Sequence, residues 1–163
     1  MTLLKRNKYA YKINFVKGSS QLPFVWMKIH ETDEWKLAIV DSGSEITLMD
    51  REFADTLAGC NFFKTRKEGE IHLEGIGGKT GKTTASPFIC VASFTDTDGN
   101  ERMLPLHGTI TDLSSMKATM KQVCPAGDTV MIIGSDTLHE LKAKIDFKNK
   151  VVILHDIFSD KES

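Results

Sequence analysis

The segment Leu37-Ala38-Ile39-Val40-Asp41-Ser42-Gly43 decides how this chain is interpreted, because an apolar run there ends in a carboxylate and a turn. An apolar run of this length predicts a buried β-strand. A carboxylate placed in apolar surroundings at its end is costly unless it is paired, hydrogen-bonded or protonated. Asp, Ser and Gly also form ordinary turns, and an Asp-[Ser/Thr]-Gly triplet arises by chance in roughly one chain of this size in ten. The rest of the sequence must therefore decide whether Asp41 is catalytic.

Size and composition predict one globular domain without a strong charge bias. The chain has 163 residues, 40% of them hydrophobic, and its 21 basic and 22 acidic residues give a net charge of -1. This length predicts a single domain over residues 1–163 with a substantial core. The balanced charge argues against nucleic acid as the main ligand, and the basic residues near the N-terminus are expected to be solvated.

The sequence also argues against a membrane or metal partner. No segment has the length of a membrane span, and the N-terminus lacks the apolar core of a signal peptide, so we expect an intracellular, cytoplasmic protein. Cys60, Cys90 and Cys124 are odd in number and widely spaced, and the histidines lie in separate predicted elements. We therefore expect free thiols, no metal site and no cofactor.

Alternating and continuous apolar runs predict a mainly β chain with short helices. Strands are predicted at residues 11–15, 22–29, 35–40, 71–74, 88–94, 129–134, 143–147 and 151–154, the first three as a meander leading to Asp41. Helices are predicted at 50–58, 112–123 and 135–141, capped by Asp50, Asp112 and the Ser135-Asp136 pair. The methionine-rich stripe of the second helix favours a core-facing surface, with a groove or partner contact as the alternative.

Gly75-Ile76-Gly77-Gly78 lies at the tip of a hairpin predicted over residues 71–94. Its glycines leave backbone N–H and C=O groups accessible to a ligand. A phosphate-binding loop is excluded by register, because Gly81-Lys82-Thr83 would require glycine at position 76, where Ile stands. Residues 83–87 are β-branched and then broken by proline, so the helix that must follow such a loop is missing as well.

Three motifs in this order resemble the retropepsins, the aspartic proteases of retroviruses and LTR retrotransposons. Ile39-Val40-Asp41-Ser42-Gly43 matches the catalytic motif, and Gly75-Ile76-Gly77-Gly78 matches the flap tip. Ile132-Ile133-Gly134-Ser135-Asp136-Thr137-Leu138 matches the family's hydrophobic-hydrophobic-Gly segment with its helix. The resemblance covers residues 11–154 and is nearest to the LTR-retrotransposon branch, with the Bel/Pao group as the finer assignment.

The resemblance implies an acid-protease half-barrel with a core over residues 11–157 and a glycine-rich flap hairpin. Because the chain carries one Asp-Ser-Gly, it also implies a homodimer in which two Asp41 carboxylates share a proton around one water. The implied activity is endoproteolysis of extended peptides, as in processing a retroelement or retrovirus-like polyprotein within virus-like particles. The alternative is a catalytically silent dimer of the same fold that binds peptides as a scaffold.

The resemblance also assigns roles by position. Ser42 would hydrogen-bond across the dimer interface, and Gly43 would let the substrate backbone approach. Glu45 would bind the substrate main chain, and a closing flap would add backbone hydrogen bonds. The substrate-binding set implied is Glu45, Gly75, Ile76, Gly77 and Gly78, with structural support from Gly134 and Asp136.

Two departures from the family pattern and one open alternative accompany this assignment. Gly134 lies 93 residues after Asp41, and the surplus predicts an insertion over residues 96–128. Position 135 is Ser where many members carry Arg, which leaves Glu45 without its usual ionic partner. The strands near Ile13 and at 151–157 form either an intersubunit sheet or a pair within one chain.

Overall fold

The computed structural model describes residues 10–19, 21–66, 69–73 and 81–155, with the backbone alone at 69–73 and 81–84. Its strands are β1 Ala10–Asn14, β2 Phe24–Ile29, β3 Lys36–Val40, β4 Leu48–Asp50, β5 Phe63–Thr65, β6 Gly69–Leu73, β7 Gly81–Thr95, β8 Glu101–Thr111, β9 Thr129–Ile133, β10 Lys144–Asp146 and β11 Val151–His155. Its helices are α1 Arg51–Asp55, α2 Ser114–Val123 and α3 Ser135–Glu140. The predicted fold class, mainly β with short helices, is confirmed.

The main sheet runs in the order β2-β3-β9-β4-β8-β7-β5, and β6 extends it as a second partner of β7. Strand β2 also pairs with β7, through Lys28 opposite Ser93, so the sheet curls round towards closure. The apolar side chains of its inner face form one buried cluster, which includes Met27, Ile29, Ala38, Val40, Met49, Ala92 and Phe94. This cluster anchors the strand that leads to Asp41.

The first and last described strands pair with each other. Strand β1 runs antiparallel to β11, from Ala10 opposite His155 to Asn14 opposite Val151, and β10 flanks β11 on its other side. The predicted meander is therefore wrong for β1, although β2 and β3 do pair. The physical reason is that Ile13 and Val152 bury their side chains together in the core. Within the single chain described, these two strands pair with each other, and their part in an intersubunit sheet stays a prediction.

Helix α1 begins at the predicted cap residue, but Asp50 does not cap it with its side chain. Asp50 Oδ1 instead accepts a hydrogen bond from the Leu113 N–H at 3.1 Å, and Lys117 Nζ lies 2.7 Å from Oδ2. The carboxylate is 2% exposed, and burial next to a cation outweighs capping. Hydrogen bonding to Asp50 raises the pKa of Lys117. The Asp50 carboxylate thus links β4 to α2. Helix α1 is shorter than the sequence predicts.

The other two predicted caps also differ in detail. Helix α2 begins at Ser114, and Asp112 Oδ1 accepts a hydrogen bond from the Ser114 N–H at 2.9 Å. Helix α3 has Gly134 as its N-cap, so Ser135 and Asp136 lie inside its first turn. Both helices occur where the apolar spacing predicts them; α2 begins two residues later than predicted, and α3 begins at Ser135 as predicted and ends one residue earlier.

The segment 96–128 contributes to the main sheet as well as carrying a helix. Strand β8 pairs with β7 from Glu101 to Ile110 and with β4 from Thr109 to Thr111. Met120 of α2 and Leu113, the residue just before the helix, are buried, which confirms the core-facing interpretation of this apolar stripe. Whether the segment is an insertion relative to the family stays a prediction.

The three cysteines are free, as expected, with Cys90 and Cys124 buried. Burial, together with the neighbouring Cys60, raises the pKa of Cys90 to about 12. Within the described residues, no helix is long and apolar enough to cross a membrane. The same part of the chain contains no group of three or more side chains arranged to hold a metal ion.

Asp96→Asn is expected to lower the free energy of unfolding by about 1–3 kcal/mol at neutral pH. Asp96 accepts hydrogen bonds from the N–H groups of Asp98 and Asn100 and from Arg102 Nε at 2.8 Å. Burial alone would raise its pKa, but the hydrogen bond from Arg102 and those from the backbone outweigh it and hold the pKa below its ordinary value.

A depressed folded-state pKa adds stability above the unfolded-state value, and that stability is lost as pH falls through the folded-state value. Urea unfolding at several pH values should therefore show a difference between wild type and Asp96→Asn that is largest near pH 7 and shrinks below the ordinary value of 3.8. The exposed neighbour Asp98, changed to Asn, is the matched control. A difference that stays constant down to low pH would exclude this carboxylate as its source.

Candidate active site

Asp41 lies where two parallel strands end side by side. Strands β3 and β9 run parallel, with Val40 opposite Ile133, and the Asp41 N–H extends the ladder by donating to the Ile133 carbonyl at 2.9 Å. Strand β4 pairs with β9 on its other side. Residues 41–47 therefore cross the end of β9, directly above Gly134.

The Asp-Ser-Gly segment forms a compact turn. Asp41 Oδ1 accepts a hydrogen bond from the Gly43 N–H at 2.9 Å, and the Asp41 carbonyl accepts one from the Ser44 N–H at 3.1 Å. These bonds hold the carboxylate in one orientation. A Cβ at position 43 would lie 3.2 Å from Asp41 Oδ1, which is a tight contact.

The expected burial of the Asp41 carboxylate is not found in the single chain. Asp41, Ser42 and Gly43 are all exposed, although β3 is buried. The strand ends at the rim of the sheet, and the turn carries the carboxylate outward. Burial by the described residues therefore gives no argument for catalysis.

Gly134 and the first turn of α3 support the Asp41 loop from below. The Ser135 N–H donates to the Ser44 carbonyl at 2.7 Å, and the Asp136 N–H donates to the Glu45 carbonyl at 3.3 Å. A Cβ on Gly134 would lie 2.4 Å from the Ile46 carbonyl oxygen and 2.8 Å from that of Ser44. Only glycine permits this close approach of two backbone segments.

Thr47 is a supporting residue that the sequence interpretation missed. Its buried hydroxyl donates to Asp136 Oδ1 at 2.8 Å, because an ionised carboxylate can only accept. Thr47 Oγ1 also accepts two hydrogen bonds, one from the Gly134 N–H at 3.1 Å and one from the Thr137 hydroxyl at 2.6 Å. The Thr47 hydroxyl thus uses its one hydrogen and both lone pairs to join the Asp41 loop to α3. The only sequence signal was a polar residue between Ile46 and Leu48.

Thr47→Val is expected to lower the free energy of unfolding by about 2–3 kcal/mol, since the Gly134 N–H and the Thr137 hydroxyl would lose their partner in a buried site. Chemical denaturation measures this directly. Thr119→Val on the exposed side of α2 is the control, with an expected change within about 0.5 kcal/mol. Equal effects at the two positions would contradict the supporting role of Thr47.

The remaining predicted site residues are only partly described. The Glu45 side chain is exposed. Residues 45 and 135 are in contact through the Ser135 hydroxyl, which lies 3.5 Å from the Glu45 carbonyl oxygen. The predicted hairpin is present in its two strands, with Gly69 opposite Ala85 and Leu73 opposite Gly81, and its use as a flap stays a prediction. Its tip, Gly75-Ile76-Gly77-Gly78, lies outside the described residues.

Comparison with known proteins finds likenesses among solved structures. No protein-family model and no curated protein matches the chain. The retroviral protease-like domain of Ddi1 from Leishmania major is 15% identical, with a TM-score of 0.45, over 83% of this chain and 96% of that one. A retropepsin-like aspartic protease from Rickettsia conorii is 15% identical, with a TM-score of 0.48, over 90% of this chain and 89% of that one.

Basic 7S globulin from soybean is 8% identical, with a TM-score of 0.51, and the match spans 91% of this chain but 50% of the soybean chain. The parallel β3–β9 pair, the hairpin of β6 and β7, and α3 after Gly134 occur in the order that the sequence resemblance implies. In this order of elements the fold is retropepsin-like. At identities of 15% or less, these retropepsin-like and globulin likenesses concern the fold alone.

Proposed function

We propose that this protein is a homodimeric aspartic endopeptidase whose active site is formed by Asp41 from each of two copies. An aspartic protease needs one deprotonated carboxylate to take a proton from water and one protonated carboxylate to polarise the scissile carbonyl. One chain supplies a single Asp-Ser-Gly. The observation that carries the proposal is the placement of Asp41: exposed, oriented by its own turn and fixed on a buried support.

The pairing of two exposed carboxylates supplies the chemistry that one copy lacks. Two carboxylates brought together across a two-fold axis cannot both ionise cheaply, so the pair shares a proton and titrates as a unit. Activity is then expected at mildly acidic to neutral pH. In this proposal the exposed Ser42 donates a hydrogen bond across the axis, and the exposed Gly43 lets a peptide backbone approach.

The substrate in this proposal is an extended peptide segment. Such a segment adds strand-like main-chain hydrogen bonds, here from Glu45 and from the flap tip carried by the hairpin of β6 and β7. The finer form of the proposal is cytoplasmic processing of a retroelement or retrovirus-like polyprotein, within virus-like particles.

A silent peptide-binding dimer of the same fold is the second candidate, and one observation favours it. Asp41 is exposed in the single chain, so a chain without catalytic activity retains this carboxylate at little cost in stability. Only a measurement of turnover separates the two functions.

The test is cleavage of a mixed peptide library from pH 4 to pH 8 over a range of enzyme concentrations, with the oligomeric state measured by sedimentation. The protease proposal predicts cleavage whose rate rises faster than linearly with concentration below the dimerisation constant. A linear rise through that range would contradict a shared active site. A folded dimer that cleaves no peptide would favour the silent module.

A further inference from the structure

A row of three exposed side chains crosses the outer face of β5, β7 and β8. The strand register places Lys64 opposite Ile89, and Ile89 opposite His107. Register partners stand on the same face of a sheet, and the next residues along β5 and β7, Phe63 and Cys90, are buried on the other face. Ile89 is 61% exposed, more than any other large hydrophobic side chain in the described part of the protein. The row therefore presents apolar surface to solvent between two polar ends.

The same three strands and the end of α3 border an open pocket of about 350 Å³. This volume lies within the range of pockets that hold small organic ligands. The apolar part of its lining comes from six residues: Phe62, Ile89, Val91, Pro105, Leu106 and Leu141. The Phe62 ring packs edge-on against His30, with 4.7 Å between the ring centroids, so this part of the lining is held in place.

The charges at the pocket are unevenly partnered. Glu140, the last residue of α3, lies with its Oε2 atom 2.9 Å from His107 Nε2, so this carboxylate already has a hydrogen-bond partner. Lys64 has no hydrogen-bond or ion-pair partner among the residues that the structure describes. The charge available to a ligand in this pocket is therefore the Lys64 ammonium group, at the β5 end of the row.

We propose that this pocket binds a small amphiphilic anion, an unbranched aliphatic carboxylate. The carboxylate pairs with Lys64, and the aliphatic tail lies across Ile89 towards Pro105. Neighbouring strands are about 4.8 Å apart, so the row from β5 to β8 spans roughly 10 Å, which suits a medium-length tail such as that of decanoate. Covering Ile89 removes apolar surface from water, and the charge-assisted contact with Lys64 orients the ligand. This inference does not depend on the proposed protease function.

The experiment is calorimetric titration of the protein with decanoate below its micelle concentration, with decylamine as the probe of the same tail and opposite charge. Decanoate should bind saturably to one site, at least about 10-fold more tightly than decylamine at equal ionic strength, because Lys64 attracts one head group and repels the other. Amide chemical shifts should change along β5, β7 and β8. Equal binding of the two probes, or no saturable binding of decanoate, would overturn the proposal.

Two variants test the two halves of the site. Lys64→Glu should weaken decanoate binding by about 10-fold or more, whereas Lys148→Glu, at the exposed turn between β10 and β11, should leave it unchanged. Ile89→Thr keeps a β-branched residue in the strand and should weaken binding by about 5-fold through lost apolar contact. Urea unfolding shows whether each variant is folded. Wild-type affinity in either folded Lys64→Glu or folded Ile89→Thr, or the same loss in Lys148→Glu, would contradict the assigned site.

Discussion

Asp41→Asn is expected to reduce peptide cleavage by roughly 10²–10⁴-fold, the range that removal of a general acid or base produces. The amide cannot accept the proton of the attacking water. Its oxygen can still accept the Gly43 N–H, so the turn should persist and the free energy of unfolding should change by less than about 1 kcal/mol. Steady-state cleavage assays and urea unfolding of the same preparations measure both quantities.

Asp55→Asn, at the exposed end of α1, is the matched control and should retain wild-type cleavage. Cleavage that survives Asp41→Asn would remove Asp41 from the mechanism. A variant that loses cleavage and stability together would assign Asp41 a structural role instead.

Gly134→Ala is expected to have the largest effect on stability, about 3 kcal/mol or more, and to abolish cleavage. The added methyl group would lie 2.4 Å from the Ile46 carbonyl oxygen and 2.6 Å from its carbon, which belong to backbone and cannot rotate away. Relief requires the Asp41 loop to move off β9. That movement would also lengthen the hydrogen bond from the Ser135 N–H to the Ser44 carbonyl. Thermal and urea unfolding measure the loss of stability.

Ser135→Ala tests the same turn without the steric clash, since the Ser135 hydroxyl makes only a 3.5 Å contact with the Glu45 carbonyl. It should be within about 0.5 kcal/mol of wild type. A Gly134→Ala variant as stable as Ser135→Ala would contradict the close approach of the loop to β9.

The strands that carry the site were predictable because their patterns are local. The continuous apolar runs at 35–40 and 129–134 identified two buried strands, and both end at the residues singled out, Asp41 and Gly134. The hairpins of β6 with β7 and of β10 with β11 also followed from alternation and turn residues. The short-range periodicity of apolar residues directly indicates where such strands and hairpins lie.

The features that were missed depend on distant parts of the chain. Strand β1 pairs with β11 across almost the whole sequence, and a strand pattern does not name its partner. Aspartate is a residue type that often caps helices, yet the Asp50 carboxylate forms an ion pair with a lysine of α2 instead. Thr47 joins three residues some 90 positions further along, which no local pattern indicates. The exposure of Asp41 follows from where the sheet ends, which a single strand does not reveal.

The most direct test of the shared active site is to mix wild type with Asp41→Asn at a constant total concentration, allow the copies to exchange, and measure cleavage. If each site needs an intact Asp41 from both copies, the rate should fall with the square of the wild-type fraction, to about one quarter in an equal mixture. A rate that falls in direct proportion, to about one half, would mean that each chain works alone and would contradict the proposed homodimeric protease.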